Sequence, residues 1–416
     1  MNSTTQSASH DRLDLAELAR LFAAAPHRLL FFAGASAVLL SMAWWAIVLA
    51  GQRFGTPAPA VTVVPPGWLH AVTLQYQMLA PFIFGFLLTV MPRWTGTPPH
   101  AARHYVPAAG TVLAGYVVTL AGAFGVPHAI AAGIALTLAG WLVALALLAR
   151  TLWLDAGRTL HAVSCWMALA LGAIGLALFV AYLALGDARY AFASIKFGTF
   201  AFLLPMYVGV SHRMIPFFSQ AVLPDFAERR PMWMLGAFWA LALAHLFLEL
   251  AHAYAWLWPV DLALAALTLR LALLWRPWRA RKVRLLWALH LAFAWLPVAF
   301  LLYAAQSIWF AATGDFVLGR APVHALTVGY FGSMLVAMVT RVTQGHSGRP
   351  LEMGPIAWTC FIAINGVALL RIGAEFAADA PLWQTLAAVA WLLAFAPWVA
   401  RNLIIYATPR IDGKPG

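Results

Sequence analysis

A chain of 416 residues that is 63% hydrophobic and 10% charged, with a mean hydropathy of +0.82, cannot wrap its apolar residues in a polar surface. Soluble domains run near about 45–50% apolar and about 25% charged, so the composition excludes an ordinary globular protein and identifies a polytopic membrane protein. The net charge of +12 would suggest nucleic acid for a soluble chain, but here the basic residues sit between apolar runs, where they set membrane orientation.

The first 26 residues are polar and lack the pattern of a cleavable signal, so the first apolar segment is expected to stay as an anchor. Hydropathy then gives twelve spans, roughly 28–51, 68–92, 105–124, 127–149, 160–185, 190–214, 232–255, 257–275, 284–311, 321–343, 355–372 and 381–407. The loops between them are short and carry Pro or Gly, as in TPAPA, GVPHA, LWPVD and ADAPL. The expected organisation is an N-terminal segment 1–27, a single twelve-helix transmembrane bundle 28–407 and a tail 408–416, all α. Arg53, Arg189 and Arg320 fall on one side of the membrane, and Lys196, Arg270 and Arg371 lie within spans, leaving twenty of the twenty-six Lys and Arg on the other side. That asymmetry predicts cytoplasmic N and C termini. No repeat relates the two halves, which weakens a transporter built from inverted repeats. The two cysteines, Cys165 and Cys360, lie in separate spans, so there is no CxxC, CxxCH or disulfide framework.

Buried polar residues mark candidate sites in such a chain, because each is costly at hydrocarbon depth without a partner. In span 2, His70, Thr73 and Gln77 are spaced i, i+3, i+7 and would share one helical face. They read either as a metal or haem ligand with polar support or as a helix–helix polar contact. Near the far end of span 6, Arg213 lies in SHRMIPFF; it reads as an orientation charge or as a cation for a haem propionate or substrate anion. In span 7, His245, Glu249 and His252 are spaced four and three. The triplet reads as metal ligands, as a proton or ion-pair element with Lys196, or as structure. Of the acidic residues, Glu249 alone is expected well inside a span.

His290 in span 9 sits in LHLAFAWLP, either a ligand or a satisfied core residue. Span 10 opens on His324, and Gly329, Gly332 and Ser333 follow where a helix or a flat cofactor could approach closely. Its far end carries Arg341, then His346 and Arg349, with the same two readings as Arg213. His70 and His324 are expected at similar depth near the outer surface. His10, His27 and His100 are expected to be solvated. Many of the twenty tryptophans, Trp44, Trp45, Trp68, Trp94, Trp258 and Trp383 among them, sit at span ends, as in an interfacial aromatic belt.

Four stretches together resemble the NnrS family: GFLLTVMPRWTG (85–96), SHRMIPFF (211–218), LLWALHLAFAWLP (285–297) and HALTVGYFGSMLVAMVTRVTQGHSGR (324–349). The resemblance implies a twelve-span protein of the bacterial inner membrane that binds haem and copper and is associated with nitric oxide and nitrosative stress. It places His70, His290, His324 and His346 on the family's histidine positions. The family's second helix usually reads H-x-H-E, whereas this chain reads His70, Ala71, Val72, Thr73, which speaks against a second metal held there. The general plan also resembles, at the level of fold, the catalytic subunit of haem–copper oxidases, where helices 2 and 10 clamp a haem.

The leading expectation is therefore a b-type, non-covalently bound haem with His70 and His324 as axial ligands, handling nitric oxide as a small gas ligand, with an unassigned electron donor. A second metal, copper among the candidates, would sit near His290 or at His245, Glu249 and His252. The rival expectations are a transporter of metal, haem or small solute, and a non-catalytic assembly factor for a respiratory complex. Membrane lipid is an expected partner, and nucleic acid is not.

Overall fold

The structure, a computed structural model, describes residues 15–59 and 64–413. His10 lies outside the described residues. The described residues form no strand, as expected where lipid cannot satisfy backbone groups and only helices or closed barrels can span. Twelve helices among them are long and apolar enough to cross a membrane. They are α1 (Pro26–Phe54), α2 (Pro66–Thr95), α3 (Ala102–Ala123), α4 (Ala129–Leu154), α5 (Leu160–Leu185), α6 (Ala188–Val222), α7 (Met232–Leu250), α8 (Tyr254–Leu274), α9 (Arg284–Thr313), α10 (Ala321–Ser347), α11 (Pro355–Gly373) and α12 (Ala380–Tyr406). Each falls on an expected span. The largest boundary difference is at α6, which runs past residue 214 to Val222 and makes a helix of 35 residues. At 1.5 Å per residue that is about 50 Å, longer than a roughly 30 Å hydrocarbon core, so its polar SHRMIPFFSQ end projects beyond it. Gly314 (φ 81°) ends α9 and Gly348 (φ 72°) ends α10 in the left-handed conformation that closes a helix without a Cβ clash.

The helices are not equivalent. In α2, α10 and α6, 89%, 72% and 67% of the most apolar window is buried, against 33–61% in the other nine. These same three each contain a π-helical segment, at Leu74–Met78, Phe197–Leu203 and Ala325–Gly332. A π turn widens the helix and frees backbone groups, and such turns concentrate at functional positions. The recurrence has a period of four helices, so a comparison of the two halves does not reveal it. The inner helices are tied together by hydrogen bonds: Tyr76 to the Ser194 carbonyl (2.7 Å) and Gln75 to Thr199 (2.8 Å) join α2 to α6, and Ser211 meets Tyr330 (3.2 Å) between α6 and α10. A small apolar cavity of about 60 Å³, walled by Phe82, Tyr207 and Met334 among others, lies where they converge. The outer helices wrap this core, and the ring closes by α12 packing along α1.

One outer pair approaches unusually closely. Gly115, Thr119 and Gly122 of α3 face Gly133, Thr137 and Gly140 of α4, the small-residue seam that lets membrane helices touch backbone to backbone. The first and last spans are tied together as well. Arg28 donates to the carbonyls of Tyr406 (3.2 Å) and Thr408 (2.8 Å), and Ile411 N–H donates to the Ser347 carbonyl (3.2 Å), so the first tail residues pack on the bundle. His27 is buried, its ring 4.4 Å from that of His346, contrary to the expectation that it is solvated. The reason is that α1 begins at Pro26, inside the expected N-terminal segment. His100 is partly buried, with Nε2 3.2 Å from the Thr151 hydroxyl.

Candidate functional site

The arginine-poor face carries the short turns after α5, α7, α9 and α11. His70 lies in the first helical turns of α2 and His324 in those of α10, so both helices begin their π segments just below a histidine. The two imidazoles are near enough to influence one another electrostatically, and the positive charges of Arg371 and Arg320 lie within electrostatic range of both. His324 Nδ1 donates to the Arg320 carbonyl at 2.8 Å, one turn earlier in the chain. A carbonyl only accepts, so this bond fixes the proton on Nδ1 and leaves Nε2 as a lone-pair donor. His70 stacks on Trp45 of α1, with ring centroids 4.4 Å apart and planes within 17°. Its Nδ1 is buried and has no hydrogen-bond partner among the described residues. Arg371 is paired with Glu375 (2.5 Å), whose other oxygen accepts the Arg320 backbone N–H (3.1 Å).

The other expected site residues do not converge there. Thr73 is buried, and Gln77, expected on the His70 face, instead donates to Thr119 (2.9 Å) and Thr137 (2.7 Å) of the α3–α4 seam. The π segment from Leu74 shifts the register between them, which a simple i, i+3, i+7 count does not anticipate. Arg341 and Arg213 lie at the opposite ends of α10 and α6. Arg341 is 17 residues beyond His324, about 25 Å along a helix. Their guanidinium groups rest on the rings of Phe218 (4.4 Å) and Trp94 (4.6 Å), so neither cation faces the His70–His324 pair. The cations within electrostatic range of it, Arg371 and Arg320, carried a signal in sequence: Arg371 is one of three basic residues inside a span. His290 is buried in α9, and its Nε2 has no hydrogen-bond partner among the described residues. Gly329, expected to admit a helix or a flat cofactor, is approached by the Trp295 ring, 2.6 Å from where a Cβ would stand.

The triplet in α7 divides. His245 and Glu249 are buried, with His245 Nε2 3.6 Å from a Glu249 oxygen. Glu249 also pairs with Lys196 at 2.9 Å, as its alternative reading anticipated. His252 does not join them, because α7 ends at Leu250 and His252 turns into a left-handed conformation (φ 54°). Its Nδ1 lies 2.8 Å from the Tyr254 hydroxyl and its ring stacks on Phe192. The third partner is Asp261, fully buried in α8, with its carboxylate 2.7 Å from His245 Nδ1. Glu249 is thus not the lone buried acid. LWPVD reads as a connecting segment although the expected span 257–275 includes it, and Asp261 is a buried helical residue of α8, which begins at Tyr254. Among the described residues, no group of three or more His, Cys, Asp or Glu side chains is arranged to hold a metal ion; His245 Nδ1 is taken up by Asp261, and Glu249 by Lys196. A further imidazole pair, His161 of α5 and His212 of α6, is buried with nitrogens 3.0 Å apart.

Two of the polar centres among the described residues bear on function. One is a histidine pair on the two most buried helices, within electrostatic range of two cations; the other is an ion-paired cluster among α6, α7 and α8. Among curated proteins no sequence matches this chain. The profile of the NnrS protein family matches residues 21–410, nearly its full length, and covers both centres. The chain belongs to the NnrS family of membrane proteins.

Proposed function

We propose that this protein binds haem in the bacterial inner membrane and handles nitric oxide, binding or reducing it under nitrosative stress, with His70 and His324 as the haem ligands. The observation that carries the reading is the His324 imidazole, whose Nδ1 proton is held by the Arg320 carbonyl at 2.8 Å while Nε2 is left to coordinate. His70 supplies the second donor from α2. Its buried Nδ1 without a partner is the sort of atom that a folded protein normally satisfies, and a ligand would explain its place. The donor set therefore fits a haem: two neutral imidazoles, and two cations, Arg371 and Arg320, able to meet carboxylate substituents. Bound haem would supply a redox centre, at which nitric oxide would coordinate only in place of one of the two histidines.

The chain's own groups have separate tasks. Trp45 holds the plane of the His70 ring, and the Arg320 carbonyl holds that of His324. Arg371 is kept in position by Glu375. Trp295, anchored to Asn365 at 2.6 Å, covers Gly329 and closes the apolar side against water. An optical spectrum of the purified protein tests the reading: a haem band that shifts on adding nitric oxide supports it, and a colourless protein that gains no band on incubation with haem contradicts it.

A transporter of metal, haem or small solute is favoured by one observation. A half-open cavity of about 230 Å³ on the arginine-poor face reaches the partly exposed Lys196 and the buried Glu249. That reading predicts solute uptake by proteoliposomes without any haem spectrum.

A further inference from the structure

The cluster of His245, Asp261, Glu249 and Lys196 has no part in the proposed haem site, and it is expensive. His245 and Asp261 are fully buried and Glu249 is 4% exposed, inside an apolar bundle. Buried charges persist only when paired and balanced. Both nitrogens of His245 face carboxylates: Nδ1 is 2.7 Å from Asp261 and Nε2 is 3.6 Å from Glu249. Only Nδ1 is within hydrogen-bond distance of its carboxylate, while Nε2 has no hydrogen-bond partner among the described residues. A neutral imidazole with its proton on Nδ1 would turn the Nε2 lone pair toward the Glu249 carboxylate, and protonation of Nε2 removes that repulsion. Charge counting agrees. Lys196 and an imidazolium balance Glu249 and Asp261, whereas a neutral His245 leaves one uncompensated negative charge in the membrane.

The cluster is also connected to the surface. Lys196 and Glu249 line the cavity of about 230 Å³ together with Tyr303, Gln306 and Arg320. At about 30 Å³ per water, that space holds several molecules. Tyr303 spans the two, lining the cavity while its ring edge meets His245 at 5.2 Å between centroids. Beyond His245 the apolar rings of Phe200 (4.0 Å) and Phe300 (6.5 Å) take over. The cavity wall continues to Pro322 and Val323, next in the chain to His324.

We propose that His245 is a proton-storage site that exchanges with the arginine-poor face through Glu249 and the cavity. In refilling, a hydronium ion in the cavity gives its proton to the Glu249 carboxylate, leaving water. The resulting carboxylic acid gives a proton to Nε2 of a neutral His245, restoring carboxylate and imidazolium; no electron changes hands. The groups that face the stored proton are Glu249 on its own helix, Lys196 from α6, Asp261 from α8 and Tyr303 from α9, with Tyr254 and Arg320 at the cavity. Resting on the haem reading above, the site would supply protons to gas reduction beside His324, from the same face as the haem.

Full-length protein free of haem, labelled with ¹⁵N-histidine and oriented in proteoliposomes, tests this by solid-state nuclear magnetic resonance. Because no haem is present, the result is independent of whether His70 and His324 ligate iron. At pH 7 one histidine should carry protons on both nitrogens, and E249Q and D261N should each lose that signal while the other histidine signals remain. Should D261N fail to fold, E249Q alone decides. Raising the pH to about 9 on the cavity face only should deplete the signal, and raising it on the opposite face only should leave it intact. A neutral His245 ring in the wild type at pH 7, retention of the signal in E249Q, or depletion from the opposite face would each overturn the proposal.

Discussion

The closest helix pair in the bundle invites a quantitative test at Gly133. A Cβ there would stand 2.4 Å from the Thr119 nitrogen and 2.6 Å from the Gly115 carbonyl oxygen, where ordinary contacts begin near 3.4 Å. Gly133→Ala therefore requires α3 and α4 to part by about 0.8–1.0 Å, since both obstacles are backbone. Overpacking of this kind costs about 1–3 kcal/mol. Parting the helices also stretches the bonds from Gln77 to Thr119 and Thr137, worth on average about 0.6 kcal/mol each in a membrane. Alanine returns up to about 1 kcal/mol of helix propensity, which is too little to reverse the sign. The expected net loss is about 1–3 kcal/mol. Gly110→Ala on α3 is the control, because a Cβ there meets nothing within 4 Å and only the propensity gain remains. Reversible unfolding in mixed micelles should separate the two variants by about 2–4 kcal/mol, with Gly133→Ala the weaker. Agreement of the two within about 0.5 kcal/mol would refute the backbone-contact seam.

Arg371→Gln should weaken haem retention about tenfold or more, the scale of a lost charge-assisted hydrogen bond, while Arg341→Gln and Arg213→Gln leave it unchanged; competition with apomyoglobin measures this. Asp379, outside the spans, caps α12 at the Leu382 N–H and accepts Arg53, whose hydrogen bonds hold its carboxyl below the ordinary range. A depressed folded value means that its contribution is present above the ordinary carboxyl range and fades as pH falls. The melting-temperature gap between wild type and Asp379→Asn should therefore narrow below about pH 4. Copper should stay below one equivalent per chain by elemental analysis, because Val72 and Thr73 beside His70 offer no further imidazole or carboxylate and, among the described residues, no group of three or more His, Cys, Asp or Glu is arranged to hold a metal; stoichiometric copper would point to other ligands.

The spans were legible because uninterrupted apolar runs of membrane length have few other fates, and α5 and α9 begin at the expected residues. His70 and His324 were legible for the same reason, as polar groups where none is cheap. What the sequence hid was register and long-range pairing. The innermost helices are buried on most sides, so the spacing of their few polar residues does not announce a π segment, and Gln77 consequently faces α3 and α4 rather than the His70 side. Asp261 looked like a loop residue beside a proline, and His252 like a helical one, because the end of α7 lies at Leu250 without a Gly or Pro to mark it. The pairing of His27 with His346 joins residues more than three hundred positions apart, which no local spacing encodes.

The central claim is that His70 and His324 ligate one haem, and the spectra of His70→Ala and His324→Ala test it most directly. The Arg320 carbonyl fixes the His324 ring for coordination through Nε2, and His70 faces the same region from α2, so the wild type should hold a six-coordinate, low-spin haem. Each variant should lose that spectrum, becoming five-coordinate high-spin or losing haem altogether, while its helical content is unchanged. A variant that keeps the wild-type low-spin spectrum at full occupancy would show that its missing histidine is no ligand. Buried His290 in α9 would then be the next to replace.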